Sequence, residues 1–213
     1  MHRNTFNKGD IGGIDMIAII DYDMGNLRNV QKALQNIGAE SIITKDPVEI
    51  YEADKIILPG VGAFKDAIYT INHSGLRTVL DESVAFGKPF LGICLGMQLL
   101  FDRSYENGTY EGLGYIPGEI VKLDVLLKVP HVGWNTLEIT KEMPLFSGIK
   151  QESYVHFVHS YHMKGSEQYI SAYTQYGERF GVAVQKDNLY GMQFHPEKSG
   201  EVGLKILKNF VRL

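Results

Sequence analysis

"KPFLGICLGMQLLF", residues 88–101, passes from an apolar, strand-like run to the opening of a helix within one tight turn. The same alternation continues on its N-terminal side. "MIAIID" (16–21) reads as a buried strand, and "GNLRNVQKALQNIG" (25–38) sets Leu27, Val30, Leu34 and Ile37 on one helical face that ends at Gly38. "SIIT" (41–44) and "ADKIILPG" (53–60) are a second and a third strand, the latter stopping at Pro59; residues 63–86 hold one or two helices. Strand and helix in repeated alternation, joined by short links, predict an α/β fold whose parallel sheet is covered on both faces.

Beyond this half the text changes. "YVHFVHSYHM" (154–163), "YISAYTQYG" (169–177), "RFGVAVQKD" (179–187) and "LYGMQFH" (189–195) are rich in β-branched and aromatic residues and separated by turn formers. They are expected as antiparallel additions to the same sheet, followed by an amphipathic helix over 199–211. Residues 1–15 are polar, glycine-rich and aperiodic, and are expected to be a flexible extension, with residues 16–213 as a single domain.

With 213 residues and 44% hydrophobic content the chain can bury one substantial core. A single cysteine cannot form an intramolecular disulfide, and the N-terminus lacks the apolar stretch after a basic region that marks a signal peptide, so the cytoplasm is the expected compartment. No run approaches the roughly 20 apolar residues needed to cross a bilayer. A formal charge of −4 exerts no long-range pull on nucleic acid or anionic lipid. Small molecules or another protein are the expected partners.

The turn at 92–96 has the pattern G-x-C-x-G, the thiol form of a nucleophile elbow. Glycines let the backbone pass close on either side of a strained turn, the following helix favours a thiolate at Cys94, and the Leu95 N–H points where an oxyanion forms. Taken alone, Cys94 reads equally well as a buried core thiol at a strand end. A cysteine nucleophile also needs a histidine to take and return a proton, and that histidine needs an orienting acid. "FHPEKS" (194–199) supplies His195 and, across Pro196, Glu197. By itself His195 would be read as structural and Glu197 as a solvated charge; together with an elbow cysteine they form a candidate triad. "LPGVGAF" (58–64) places a glycine-rich turn at the C-terminal edge of the third strand, where ligands of parallel sheets sit, so a peptide N–H there can face the same oxyanion. In isolation it is an ordinary strand-to-helix turn.

"GICLGMQLLF", "PGVGAF" and "FHPEKS", in this order and spacing, resemble the class I (triad) glutamine amidotransferases over essentially all of residues 16–213. Within that family, "DYDMGNLRNV" (21–30), "PHVGWN" (130–135), "FVHSYH" (157–162) and "HPEKS" are most similar to the glutaminase subunit of imidazole glycerol phosphate synthase. Val132, where methionine is frequent, and His156, where an aromatic usually stands, depart from the commoner text.

The resemblance implies a three-layer, flavodoxin-like version of the α/β fold, mostly parallel, with antiparallel strands added in the C-terminal half. It implies hydrolysis of glutamine to glutamate and ammonia: Cys94 attacks the amide carbon, His195 protonates the leaving ammonia and then activates water, and Glu197 orients His195. Leu95 and, after a peptide flip, the Val61–Gly62 turn would hold the oxyanion. Gln98 and Glu106 would hold the α-amino and α-carboxylate end of glutamine, with backbone around Gly62 and His159, Ser160 and Tyr161. The ammonia would pass to a cyclase subunit bound as a heterodimer through Asn26, Asn29, Pro130, Gly133, Trp134 and Lys198. No cofactor is implied. The histidines at 156, 159 and 162 suggest a metal only superficially, because 156 and 159 face opposite sides of a strand, and no metal is expected. A paralogous glutaminase feeding a sugar-modifying amidotransferase is the nearest alternative. Peptidase-like proteins on the same scaffold lack a His-Pro-Glu near the C-terminus, and a non-catalytic subunit would not need an intact triad.

Overall fold

The apolar runs of the first half become neighbouring parallel strands in the computed structural model, which describes residues 15–213. These are β1 (Met16–Ile20), β2 (Glu40–Thr44), β3 (Lys55–Gly60) and β4 (Phe90–Cys94), and the helices between them are α1 (Leu27–Asn36), α2 (Pro47–Glu52), α3 (Phe64–His73) and α4 (Leu76–Ala85). The stretch 63–86 thus holds two helices. The extension expected at residues 1–15 lies outside the described residues except for Asp15, whose carboxylate pairs with the buried Lys55 ammonium.

After β4 come α5 (Leu95–Leu99), β5 (Phe101–Ser104), β6 (Tyr110–Glu111), β7 (Ile116–Lys122), β8 (His131–Thr136) and β9 (Glu138–Ile139). The chain closes with β10 (Tyr154–His159), β11 (Tyr161–Lys164), β12 (Ile170–Tyr176), β13 (Glu178–Lys186), β14 (Leu189–Met192) and α6 (Gly200–Val211). The central sheet runs β2-β1-β3-β4-β14-β13-β12-β9; pairing is parallel as far as β14 and antiparallel beyond it. The parallel order is that of flavodoxin-like sheets, in which ligands sit at the carboxyl ends of the strands.

Both faces of this sheet are apolar because both are covered. Along β1, Ile17 and Ile19 join a core with α1 and α6 residues such as Leu34 and Phe210, while Ala18 and Ile20 join a second core with Phe64, Leu80 and other residues of α3 and α4. This is why the first half reads as continuous hydrophobic runs rather than as alternation.

Two expectations are corrected. The strands of the second half do not all extend the central sheet: β10 pairs with β8 alone, and β11 joins β7, β5 and β6 in a four-stranded sheet. The chain crosses from one small sheet to the other at Ser160, between His159, which pairs with His131, and Tyr161, which pairs with Lys122. Phe101, read as helical, begins a strand instead. The Leu99, Leu100 and Phe101 carbonyls are taken by the backbone N–H groups of residues 113–116, which stops α5 after five residues.

The turn between β4 and α5 is set by close backbone approach. A Cβ on Gly96 would lie 1.7 Å from the Leu58 carbonyl oxygen, and one on Gly92 would lie 2.7 Å from the Gly96 oxygen and the Met97 Cα. The flanking glycines therefore serve packing of strand against helix. Gly96→Ala should destabilise the fold by at least about 3 kcal/mol, the upper part of the overpacking range, because the atoms the new Cβ meets, the Leu58 carbonyl oxygen and carbon, belong to backbone. Chemical denaturation measures this directly.

Candidate active site

Cys94 ends β4 with φ 55° and ψ −111°, a conformation that L side chains rarely adopt, and it delivers the thiol to the carboxyl edge of the sheet. On the neighbouring strand Gly60 pairs with Cys94, so the turn at Val61 and Gly62 arrives at the same edge. β14 lies parallel to β4 on its other side, which brings the segment after Met192, with His195 and Glu197, to that edge as well.

The His195 and Glu197 side chains are only 3% and 2% exposed, and His195 Nδ1 lies 2.8 Å from Glu197 Oε1. With Nδ1 bonded to the carboxylate, Nε2 is left for the Cys94 sulfur. Burial alone would lower the imidazole pKa, but its hydrogen bonds to Cys94 and Glu197, and their charges, outweigh burial and hold it up at about 9. The second carboxylate oxygen, Oε2, is buried and has no hydrogen-bond partner among the described residues.

A cleft of about 310 Å³ opens on the sulfur and is lined by Val61, Gly62, Leu95, Gln98 and Glu106, together with His159, Ser160, Tyr161 and His195. As the first residue of α5, Leu95 has an N–H with no carbonyl to bond within the helix. Gly62, at φ 113°, holds a turn that a side chain would strain. Glu106 both walls the cleft and accepts the Phe64 N–H at 2.7 Å, which caps the start of α3. Gln98 is buried and its amide nitrogen donates to the Tyr161 carbonyl at 3.2 Å and to Gln193 Oε1 at 2.9 Å. A larger cleft of about 820 Å³ beside Lys141 and Gly148 contains none of these residues.

The residues expected at a docking face fall into two groups. Pro130 and Lys198 line the cleft itself. Trp134 is 55% exposed, and Val132, Tyr154 and Val158 on the same face of the β8–β10 pair are exposed beside it. The opposite face of the pair is buried through His131, Val155, Phe157 and His159. Gly133 sits between them at φ 131°, and His156 meets Trp134 edge to face at 5.8 Å. Asn26 and Asn29 are exposed at the start of α1, and Asn29 borders a separate cleft that reaches Glu197.

Three groups at the site escaped the sequence. Gln193, just past the end of β14, is fully buried and donates to Cys94 Sγ at 3.7 Å; no local pattern marks it. The Val158 carbonyl faces the same sulfur at 3.8 Å. His131 Nδ1 lies 3.0 Å from His159 Nε2, and His159 Nδ1 lies 2.9 Å from the Tyr161 carbonyl. Burial lowers His131 to about 4 and His159 to about 3, so both rings are neutral at pH 7. The carbonyl can only accept, so His159 Nδ1 carries its proton and His131 donates to His159. This chain ties β8 to the Tyr161 wall of the cleft. No group of three or more His, Cys, Asp or Glu among the described residues is arranged to hold a metal ion, and no described helix is long and apolar enough to cross a membrane.

Comparison with known proteins adds sequence and fold likeness. A family model described as "Glutamine amidotransferase class-I" matches residues 18–213. An imidazole glycerol phosphate synthase subunit, HisH 1, of Campylobacter jejuni (strain RM1221) is 51% identical over 93% of this chain and 100% of its own. The HisH subunit of the same synthase from Caldanaerobacter subterraneus subsp. tengcongensis is 53% identical over 92% of this chain and 97% of its own. Among solved structures, PurLQS from Thermotoga maritima superposes with a TM-score of 0.73 at 17% identity, covering 94% of this chain and 99% of that one. A glutamine amidotransferase of the same organism gives 0.62 at 14% identity, covering 94% and 82%. At these identities the two structures speak for the fold alone.

The His195 proton has a consequence for stability. An unfolded histidine releases its proton near pH 6.5, the folded one near 9, so the contribution of this proton is complete below 6.5 and is lost as pH rises through 9. Between these values the denaturation midpoint of the native chain should fall with pH, and that of His195→Gln should fall less; parallel slopes would contradict the assignment.

Proposed function

The chain belongs to the class I glutamine amidotransferases, and from that premise we propose that Cys94, His195 and Glu197 hydrolyse the side-chain amide of glutamine. The chain does so as the glutaminase subunit of imidazole glycerol phosphate synthase, the enzyme to which its 51% and 53% identical relatives belong. The observation that carries the reading is the buried, carboxylate-bound imidazole facing an elbow thiol at the floor of a cleft.

The steps follow from the groups present. The Cys94 thiolate attacks the amide carbon, and the negative charge that forms on the oxygen is held by the Leu95 N–H and by a peptide N–H of the Val61–Gly62 turn after that peptide flips. His195, held protonated up to about pH 9, gives its proton to the departing nitrogen; the C–N bond breaks, ammonia leaves, and the acyl group stays on Cys94 as a thioester. The neutral ring then takes a proton from water, hydroxide attacks the thioester, and glutamate is released with the thiolate restored. Glu197 keeps Nε2 aimed at the sulfur throughout, because Nδ1 is occupied. Glu106 and Gln98 receive the amino-acid end of glutamine, assisted by backbone at Gly62 and at His159, Ser160 and Tyr161.

Ammonia released to water becomes ammonium, which is no nucleophile, so the product needs a covered route. The cover is the cyclase subunit, docked as a heterodimer over Trp134, Pro130, Gly133 and Lys198, with Asn26 and Asn29 at its margin. An exposed Trp in an apolar face is the residue type that dominates such interfaces. The single free thiol of the chain suits the reducing cytoplasm, which is the compartment this reading takes for the reaction.

Cys94→Ala should abolish glutaminase turnover, measured as glutamate formed; substantial residual turnover sinks the triad. Turnover in the isolated chain should be weak and should rise on adding the cyclase with its nucleotide substrate, whereas full activity alone argues against docking. Trp134→Ala should weaken the complex by about 2 kcal/mol or more in a binding titration.

A further inference from the structure

The amide of Gln193 is completely buried between the nucleophile and the substrate wall, and its orientation follows from one group that can act only as an acceptor. The Tyr161 carbonyl accepts, so the end of Gln98 that meets it at 3.2 Å is the NH₂ end. That same nitrogen meets Gln193 at 2.9 Å, so Gln193 must present its oxygen there. Its other end, the NH₂, is then the end that faces Cys94 Sγ at 3.7 Å. Donation diverges from Gln98: its amide nitrogen gives one hydrogen to the Tyr161 carbonyl and the other to Gln193, and Gln193 in turn donates to the sulfur.

We propose that Gln193 is a positioning residue for glutamine hydrolysis: it holds the Cys94 thiolate by an N–H donor and locks Gln98 so that only the Gln98 carbonyl oxygen is offered to substrate. Two consequences are chemical. A thiolate accepting an N–H bond is favoured over a thiol, since hydrogen bonds to a charged group are about twice as strong as those between neutral groups. Gln98, with both amide hydrogens taken, meets the α-ammonium or the amide N–H of glutamine as an acceptor, and is unable to donate to the carboxylate, a task left to other groups of the cleft. Sequence placement agrees: β14 is parallel to β4 with Met192 beside Ile93, so the next residue along, Gln193, comes level with Cys94.

This inference rests on the glutaminase reading, and the test separates the two. This chain has one cysteine, so iodoacetamide uptake read on this chain alone, by its gain in mass after the complex is alkylated and denatured, reports on Cys94. Its rate against pH gives the midpoint of thiolate formation in the holoenzyme with the cyclase. Gln193→Glu keeps the shape and the acceptor toward Gln98 but turns an oxygen to the sulfur; its midpoint should move up by about one pH unit. Gln193→Met removes both polar ends in a similar volume and should also move the midpoint up. In both variants kcat/KM for glutamine should fall by about 10- to 100-fold, the value of a lost hydrogen bond to a charged group. Should the buried glutamate of Gln193→Glu prevent folding, the methionine variant decides. A folded variant whose alkylation profile superimposes on that of the native enzyme overturns the proposal, whatever its turnover. A native enzyme without glutaminase activity overturns the underlying reading instead.

Discussion

The backbone of α5 approaches that of β3 more closely than any side chain on Gly96 would permit, and the site is built on that approach. With a Cβ on Gly96 lying 1.7 Å from the Leu58 oxygen, the helix can begin only where it does, immediately after Cys94. Gly60 is closed in the same way from the other side, where the Tyr22 hydroxyl, donating to the Pro59 carbonyl at 2.7 Å, fills the space a Cβ would need. Burial, and the nearby Cys94 charge, push that hydroxyl above its ordinary pKa, so it stays a neutral donor. Three adjacent strands thus end at fixed heights, and each contributes one part of the chemistry: the Val61–Gly62 turn from β3, the thiol from β4, and the imidazole and carboxylate from the segment after β14.

The second half of the chain supplies the rest of the cleft by a different means. Its two smaller sheets meet at Ser160, which puts the Val158 carbonyl against the sulfur and the Tyr161 carbonyl against Gln98. Because β10 carries both an exposed row, Tyr154 and Val158, and a buried row, Val155, Phe157 and His159, one strand serves the cleft and the outer face together. The His131–His159 bond fastens its partner β8 to the same wall.

The parts of this architecture that sequence discloses are those governed by near neighbours. Strand and helix alternation, the stop of α1 before Gly38 and the His195–Glu197 contact across Pro196 all depend on a few adjacent residues, and their periods and turn residues are visible in the text. Long-range pairing is not. "YVHFVHSYHM" reads as one β segment, since nothing local marks Ser160 as a passage between sheets; the partners that divide it, His131 and Lys122, lie some thirty to forty residues earlier. Phe101 looks like the continuation of a helix because its carbonyl is claimed by a loop twelve or so residues on. Gln193 reads as one more strand residue, since the value of its amide depends on a register with β4 that no pattern around position 193 encodes.

At position 94 the fold and the chemistry pull in opposite directions. A backbone at φ 55° and ψ −111° suits glycine, and any other residue held there costs on the order of 1–3 kcal/mol. The protein would be more relaxed with a hydrogen in place of the whole Cys94 side chain, so selection for stability alone would drift toward an inert chain of the same shape. The sulfur persists there only under continual selection for turnover, and a duplicate copy released from that selection would be expected to lose Cys94 while keeping Gly92 and Gly96.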